Sequence, residues 1–549
     1  MKQYLTRRAF FLMFCKSLLV SLLGVRFYNL QVLSNDKYKL LSDKNRIRIN
    51  ILEAARGMII DRNGDIIATN AFTYTASVDS VDKIQIVFNE MSKICHKVNK
   101  TKVVLCEDLN WEQVSKIESN ITINQIVKIN QTYKRIYPHS SLTGYITGYT
   151  GLPSKDEQTD NALKNSFLIG KNGLEMYCDA DLQGKHGIQK IEVNAFNKVI
   201  KDISYENSLQ GNTLKTSIDV KLQKKIAEIN NDMRGIHIAI DIRNGEILAI
   251  YSSPGYDPNL FTNGIKSQDW KKLINDPEKP MVNRAITSLY PPGSTFKMIS
   301  LLAILNSGIS PDDAIYCSGE YRIGTRLFHC WKQYGHGYVN AYTSIENSCN
   351  IYFAIQGMKC GIDAIVKMAN KFGLGKPTNI ELPFESSGII PSKDWKISKF
   401  KKNWTPGDTV NVVIGQGFTL TTPIQLAMMI ARIASGYLIK PTLLLSNNKE
   451  PEQLKIDYLN IIRSSMYSVM KRHHWEKLEI AGKTGTAQVI SKRDAKGRYR
   501  DHSMFVGFGP YSNSKYAVVS IVENAGWGAD TALPLAKSIF RALYETIGR

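Results

Sequence analysis

The spacing of apolar positions changes several times along the chain, and each change predicts a different element. From Ala9 to Val25 the residues are apolar in every direction except at Cys15, Lys16, Ser17 and Ser21. Weaker apolar character continues to Val32 past Arg26 and Asn29. About 20 residues of helix cross a hydrocarbon core, so residues 9–32 predict one transmembrane helix. Lys2, Arg7 and Arg8 precede it and place residues 1–8 on the cytoplasmic side. Lys16 costs about 3 kcal/mol at mid-membrane unless it snorkels. No small-x-small cleavage site follows, so the segment is expected to remain as an anchor and leave the rest of the chain outside the cytoplasm.

Beyond the anchor, short runs of period two take over. MIID and DIIA flank Asn63-Gly64, and the runs within 235–252 flank Asn244-Gly245. Both patterns predict hairpins. Residues 83–130 mix amphipathic helical and strand pieces, residues 144–151 (GYITGYTG) read as turns, and 187–200 reads as one strand. Asp219 is placed to cap a helix that follows a strand. Further on, 296–308 and 424–436 are helical runs. Strands are predicted at 478–489, 503–510 and 515–524, followed by an amphipathic helix over 531–547. Strands at both ends of 231–549 with helices between them predict an α+β domain, an antiparallel sheet flanked by helices. Residues 33–230 then form a separate, non-catalytic pedestal. Its histidines, His96, His139 and His186, are isolated from one another and read as structural or surface residues.

Composition narrows the partners. The chain has 549 residues, 43% of them apolar, and a formal net charge of +21. That length predicts more than one domain. A charge this positive first suggests nucleic acid. However, there is no zinc-finger pair, arginine-rich tract or aromatic RNP-like strand, and the lysines are dispersed, so no nucleic acid is expected. An anionic envelope fits better. The eight cysteines are too sparse for a disulfide scaffold.

Three short motifs carry the candidate chemistry. In 291-PPGSTFK, Ser294 lies at or just inside a helix start, where free N–H groups favour developing negative charge. Lys297 is one turn on and able to serve as base. In 346-ENSCN, Ser348 offers a proton-relay hydroxyl and Asn350 an amide for a substrate carbonyl. In 481-AGKTGTAQ, Lys483 supplies a cation, Thr484 and Thr486 offer hydroxyls, and Gly485 lets a substrate backbone approach. Each motif alone occurs by chance; the three in this order define a serine acyl-transfer site. Cys317, Cys330, His336 and Cys349 fall within a short stretch. They read either as a tetrahedral Zn(2+) site of thiolates and one imidazole or as buried free thiols beside an unrelated histidine. His329 is a second candidate imidazole.

The anchor, the RGMIIDRNG hairpin, GYITGY, GKNGLE and the PPGSTFK box together resemble penicillin-binding protein 2, the elongation-type class B group of penicillin-binding D,D-transpeptidases. The resemblance covers essentially the whole chain. It implies a serine β-lactamase-like transpeptidase fold on a pedestal, anchored in the cell inner membrane with the catalytic domain periplasmic. It also implies attack by Ser294 on the penultimate D-Ala carbonyl of a peptidoglycan stem peptide, with Lys297 as base. The Ser294 and Thr486 N–H groups would hold the oxyanion, and Lys483, Thr484 and Thr486 the terminal carboxylate. β-Lactams would acylate Ser294, and a carboxypeptidase side activity is possible chemistry for the same acyl-enzyme. Implied partners are lipid-linked peptidoglycan precursor, nascent glycan strands, a multi-pass membrane glycan polymerase and elongation-complex scaffold proteins. The Cys-Trp-Lys and Gly-His-Gly phrases match the family's zinc insertion, which implies structural Zn(2+). A septal relative, a β-lactamase, a β-lactam sensor and a non-catalytic scaffold share parts of the pattern.

Overall fold

The computed structural model describes residues 7–33, 46–78, 81–95, 98, 104–158, 167–194, 199–262, 264–445, 451–487 and 501–549. Most of the expected cytoplasmic tail, residues 1–6, and His96 lie outside the described residues. The chain divides into two compact units, residues 1–55 with 183–211, and residues 56–182 with 212–549.

In the first unit, helix Arg7–Tyr28 ends in a π-helical turn, Asn29–Leu33. It is the one helix among the described residues long and apolar enough to cross a membrane, and its apolar side chains are exposed all round. The unit also holds a three-stranded antiparallel sheet in which Gly187–Val193 lies between Ile47–Leu52 and Val199–Glu206. The stretch expected to be one strand over 187–200 is therefore a hairpin. The apolar spacing of Gly187–Val193 runs on into Val199–Glu206, and residues 195–198 lie outside the described residues.

In the second unit, the long strand Ile66–Val78 pairs with Val104–Leu109 and Val127–Ile136. Helices Ile84–Ile94 and Trp111–Ser119 close a small core around Val87, Met91, Leu105 and Ile117. This stretch carries no chemical motif in the sequence, yet Cys95 and Cys106 form a disulfide in it. The Asn63-Gly64 hairpin is present, and Asp61 accepts from the Asn63 and Asp65 N–H groups at 2.7 and 2.8 Å. Asp219 caps the helix Val220–Asn230 by accepting from Leu222 N at 2.8 Å.

The RGMIID and GKNGLE segments meet at a buried charge cluster. Glu175 is fully buried and accepts from Arg56 Nε at 2.5 Å, Arg135 Nε at 2.7 Å and Tyr137 Oη at 3.3 Å. Burial pushes the Glu175 carboxyl up, but the two guanidinium groups outweigh it and hold the group below the usual carboxylate range. The GYITGY segment, expected as turns, holds a one-turn helix, Gly144–Thr147, that docks on later sequence: Tyr145 Oη donates to Pro254 O at 2.9 Å, and Tyr256 Oη to Gly144 O at 3.1 Å.

The rest of this unit is built on a five-stranded antiparallel sheet. Its strands are β1 (Gly235–Asp241), β2 (Ile247–Ser252), β3 (Ala481–Ala487), β4 (His502–Gly509) and β5 (Tyr516–Val522), in the order β2-β1-β5-β4-β3. Strands from both ends of the region therefore meet at β1 and β5, which are buried at every position. Helices Pro423–Ser435 and Ala532–Thr546 pack on the sheet. Helix α1 (Lys297–Asn306) is apolar from Met298 to Leu305 except at Ser300, whose hydroxyl donates to Val413 O at 2.7 Å, and is buried from Lys297 to Leu305. A helix of that composition finds its place in a core rather than on a surface. As a result, the first turn of α1 is dry, and β3 is left as the sheet edge beside it.

Candidate active site

Ser294 lies in a tight 3-10 turn, Gly293–Thr295, that runs into α1. Lys297 is the first residue of α1 and is 1% exposed. Helix α2 (Asn350–Cys360) begins opposite, capped by Cys349, whose sulfur accepts from Tyr352 N at 3.5 Å. Ser348 precedes it in the left-handed region, φ +49°. That conformation is uncommon for a residue with a Cβ. It directs the Ser348 carbonyl and hydroxyl to one point, the Lys297 amine.

Lys297 Nζ donates to Ser348 O at 2.9 Å, Ser348 Oγ at 3.2 Å and Asn350 Oδ1 at 2.7 Å. Ser348 Oγ in turn stands 3.1 Å from Ser294 Oγ. The amine expected to face Ser294 directly thus reaches it through the Ser348 hydroxyl, which can accept from one side and donate to the other. Burial, opposed by the nearby Cys330 and Cys349 sulfurs, lowers the Lys297 ammonium to about 8.

β3 closes the other side. Lys483 is buried, donates to Thr484 O at 3.0 Å, and is lowered to about 7 by burial and by the Lys297 charge. A Cβ on Gly485 would come within 2.8 Å of Thr295 Cγ2 and 3.3 Å of Pro292 O, so only glycine lets β3 lie this close to the Ser294 turn. Gly293 has φ +53°, and a Cβ there would meet Thr486 O at 2.6 Å. Thr486 is held from two sides: Gln416 Nε2 donates to its carbonyl at 3.3 Å and Gly528 N to its hydroxyl at 3.3 Å. Gln416 and Gly528 belong to no motif. They are found only because residues distant in sequence return to the same edge.

Hydrogen bonds join Ser294, Lys297, Ser348 and Asn350, Gly485 and Thr486 lie against the Ser294 turn, and Lys483 and Thr484 precede them on the same strand, β3. It also gathers Cys317, Cys330, His336 and Cys349, whose ligand atoms lie within 4.8 Å of one another. His336 Nδ1 is 3.5 Å from Cys330 Sγ and 3.7 Å from Cys317 Sγ. Strands Ile315–Cys317 and Gly337–Val339 pair to set Cys317 opposite Gly337. Hairpin Glu320–Ile323 with Arg326–His329 delivers Cys330. Three sulfurs and one imidazole nitrogen at these separations suit a tetrahedral soft cation. The hydrogen bond between the Cys330 and Cys349 sulfurs lowers the Cys330 thiol and raises the Cys349 thiol, so Cys330 is the member of the pair that ionises first. His329 stands outside the cluster; its carbonyl instead accepts from Asn350 Nδ2 at 3.3 Å. Two further residues bind the same loop. Trp331 Nε1 donates to Asn347 O at 2.9 Å, and Arg472 Nη1 donates to Asn347 Oδ1 at 3.1 Å.

Comparison with known proteins agrees with this geometry. Residues 235–545 match the family model described as the penicillin binding protein transpeptidase domain, and residues 51–216 match the penicillin-binding protein dimerisation domain. The peptidoglycan D,D-transpeptidase MrdA of Acinetobacter baumannii is 33% identical, covering 97% of this chain and 87% of the relative. MrdA of Escherichia coli is 31% identical, covering 96% of this chain and 92% of the relative. Among solved structures, penicillin-binding protein PBP2 of Helicobacter pylori, in complex with MreC, superimposes with a TM-score of 0.81. It is 29% identical and covers 91% of this chain and 99% of that one. A chain from a structure titled for the coordination of polymerization and crosslinking by a peptidoglycan synthase complex matches with a TM-score of 0.74 at 26% identity, covering 98% and 99%. The chain belongs to the penicillin-binding D,D-transpeptidases, serine enzymes of peptidoglycan cross-linking, and within them to the elongation-type penicillin-binding protein 2 group rather than the septal one.

Proposed function

We propose that this protein cross-links peptidoglycan stem peptides through a Ser294 acyl-enzyme. The observation that carries the reading is the continuous chain from Ser294 Oγ through Ser348 Oγ to the Lys297 amine, near enough to the buried Lys483 on β3 for the two charges to interact. Neutral Lys297 takes the Ser294 proton by way of Ser348 as Oγ attacks the penultimate D-Ala carbonyl. The oxyanion rests on the Ser294 and Thr486 N–H groups. Lys483, Thr484 and Thr486 hold the terminal carboxylate, Gly485 lets the substrate backbone approach, and Asn350 holds the donor carbonyl. The C–N bond breaks, and terminal D-Ala departs with the proton returned through Ser348. The amine of a neighbouring stem then attacks the ester, the C–O bond breaks, and Ser294 regains its proton. Water in place of the amine would give the carboxypeptidase side reaction. β-Lactams acylate Ser294 by the same attack.

Cys317, Cys330, His336 and Cys349 would hold a structural Zn(2+), whose bonds to Cys349 would fix the loop between Ser348 and Asn350. Residues 9–32 anchor the chain in the cell inner membrane with residues 1–8 cytoplasmic. Residues 33–230 form the pedestal, and residues 231–549 the periplasmic transpeptidase domain. The family matches over 51–216 and 235–545 support that division. The substrates are lipid-linked peptidoglycan precursor and nascent glycan strands. The likeness to structures solved with MreC and within a peptidoglycan synthase complex supports an elongation-complex scaffold protein and a membrane glycan polymerase as partners.

Labelling with a fluorescent penicillin, wild type against Ser294→Ala, tests the assignment. The wild type is expected to form a covalent adduct and the variant none; equal labelling of both overturns the nucleophile.

A further inference from the structure

The lobe that carries the Cys3His cluster lies against the Ser348 loop. It is tied to both sides of Ser348: Trp331 Nε1 donates to Asn347 O, and His329 O accepts from Asn350 Nδ2. Residues so placed normally bury their large rings. Trp331 does not: it is 56% exposed, although its indole N–H is fixed at 2.9 Å and its ring stands 5.3 Å from the His336 imidazole. The outer part of an anchored indole is thus held open beside the second catalytic motif. Tyr334, three residues on, is 86% exposed. Arg322, Arg326 and Lys332 are exposed cations of this lobe, and Glu320, also exposed and paired with His329, is its one acidic residue between 315 and 340.

An exposed, immobilised aromatic ring is matched by few ligand chemistries. Its face is apolar and electron-rich, and its edge is polar. A bare apolar peptide side chain would call for a concave pocket, whereas Trp331 presents an open plate. A pyranose ring presents one face of axial C–H groups and a rim of hydroxyls, and it stacks on such a plate while its rim stays wet. The lobe's three exposed cations against one exposed carboxylate suit a polymer that carries carboxylates. We propose that Trp331 is a carbohydrate-binding residue that stacks on an N-acetylhexosamine ring of the glycan strand whose stem peptide enters the Ser294 cleft. This rests on the cross-linking reading above and adds the sugar backbone to the peptide as a recognised part of the substrate.

Fluorine NMR of the full-length protein labelled with 5-fluorotryptophan tests it. Trp331→Phe assigns the resonance of Trp331 among the protein's seven tryptophans. The probe is chitotetraose, an uncharged, peptide-free oligomer of N-acetylglucosamine. A saturable shift of the Trp331 resonance is expected, and Trp331→Ala should bind the oligomer about tenfold more weakly by calorimetry. A Trp331 resonance that stays fixed up to millimolar chitotetraose overturns the proposal. So does a resonance that moves only with a sugar-free stem pentapeptide. The resonance is read on the wild-type fold, so the result stands even if Trp331→Ala does not fold. Penicillin labelling of the same wild-type sample separates the two readings. Labelling without sugar binding sinks this inference alone, whereas absence of labelling sinks the acyl-enzyme reading.

Discussion

The Lys297 amine lies 2.7 Å from Asn350 Oδ1, which joins the first residue of α1 to the first residue of α2. With Ser348 O and Oγ it completes a set of three acceptors for one ammonium group. A buried amine so held cannot swing away, and its pKa is set by how dry the α1 start is. The reactivity of Ser294 therefore depends on the packing of two helices as much as on its own turn.

Lys297→Ala should leave Ser294 in place but without a proton acceptor. The second-order rate of acylation by penicillin is expected to fall by about 10²–10⁴. Stopped-flow acylation measures it, and a loss of less than about threefold would exclude Lys297 as base.

Acylation should depend on pH in a defined direction. Burial depresses the Lys297 pKa, so the reactive neutral amine gains population through about pH 8 and is scarce below it. The saturating rate is expected to rise through that pH, with roughly tenfold loss per unit on the acid side. Lys483, lowered to about 7, must be charged to hold a carboxylate. Apparent affinity for a carboxylate-bearing β-lactam should therefore weaken above about pH 7 while the saturating rate still climbs. A saturating rate that falls between pH 7 and 9 would contradict Lys297 as base, and an apparent affinity unchanged over that range would contradict the role of Lys483.

Gly485→Ala places a methyl group 2.8 Å from Thr295 Cγ2. β3 and the Ser294 turn must separate, at a cost of about 1–3 kcal/mol. A lower melting temperature and slower acylation are expected together. Gly526→Ala is a control for a glycine with open space around it, although its φ of +87° adds local strain.

Removing metal should loosen the Ser348 loop, because Cys349 lies between Ser348 and Asn350. Purified protein is expected to carry about one equivalent of zinc. Cys330→Ser should lose most of it, lower the melting temperature and slow acylation. Metal content well below half an equivalent in untreated wild type would count against the site.

Glu175→Gln leaves Arg56 and Arg135 without their shared buried carboxylate. Breaking such a pair costs about 3–5 kcal/mol. Thermal melts should show a large loss of stability, and penicillin labelling at low temperature should persist, because the cluster touches no site residue.

Much of this was legible in the chain. Apolar residues in every direction marked the helix Arg7–Tyr28, alternation around Asn63-Gly64 and Asn244-Gly245 marked hairpins, and the strands from both ends of 231–549 marked one antiparallel sheet. These are local signals, because period and turn chemistry act within a few residues. The residues of the three motifs were named from order and spacing alone. The single strand expected over 187–200 failed for the same local reason: apolar spacing does not register that Gly187–Val193 and Val199–Glu206 are two strands paired with each other.

Local spacing contains no distance between residues a hundred positions apart. Only the tertiary structure decided that Ser348 stands between Ser294 and Lys297, that His336 rather than His329 joins the three cysteines, and that Cys95 meets Cys106. It alone found Gln416 and Gly528 behind Thr486, and Trp331 and Arg472 on Asn347. The sequence by itself determined which side chains could do the chemistry, because their types and local order are written in it. Their pKa values and proton path were decided by packing, because burial and hydrogen bonding depend on what the rest of the chain brings to the start of α1.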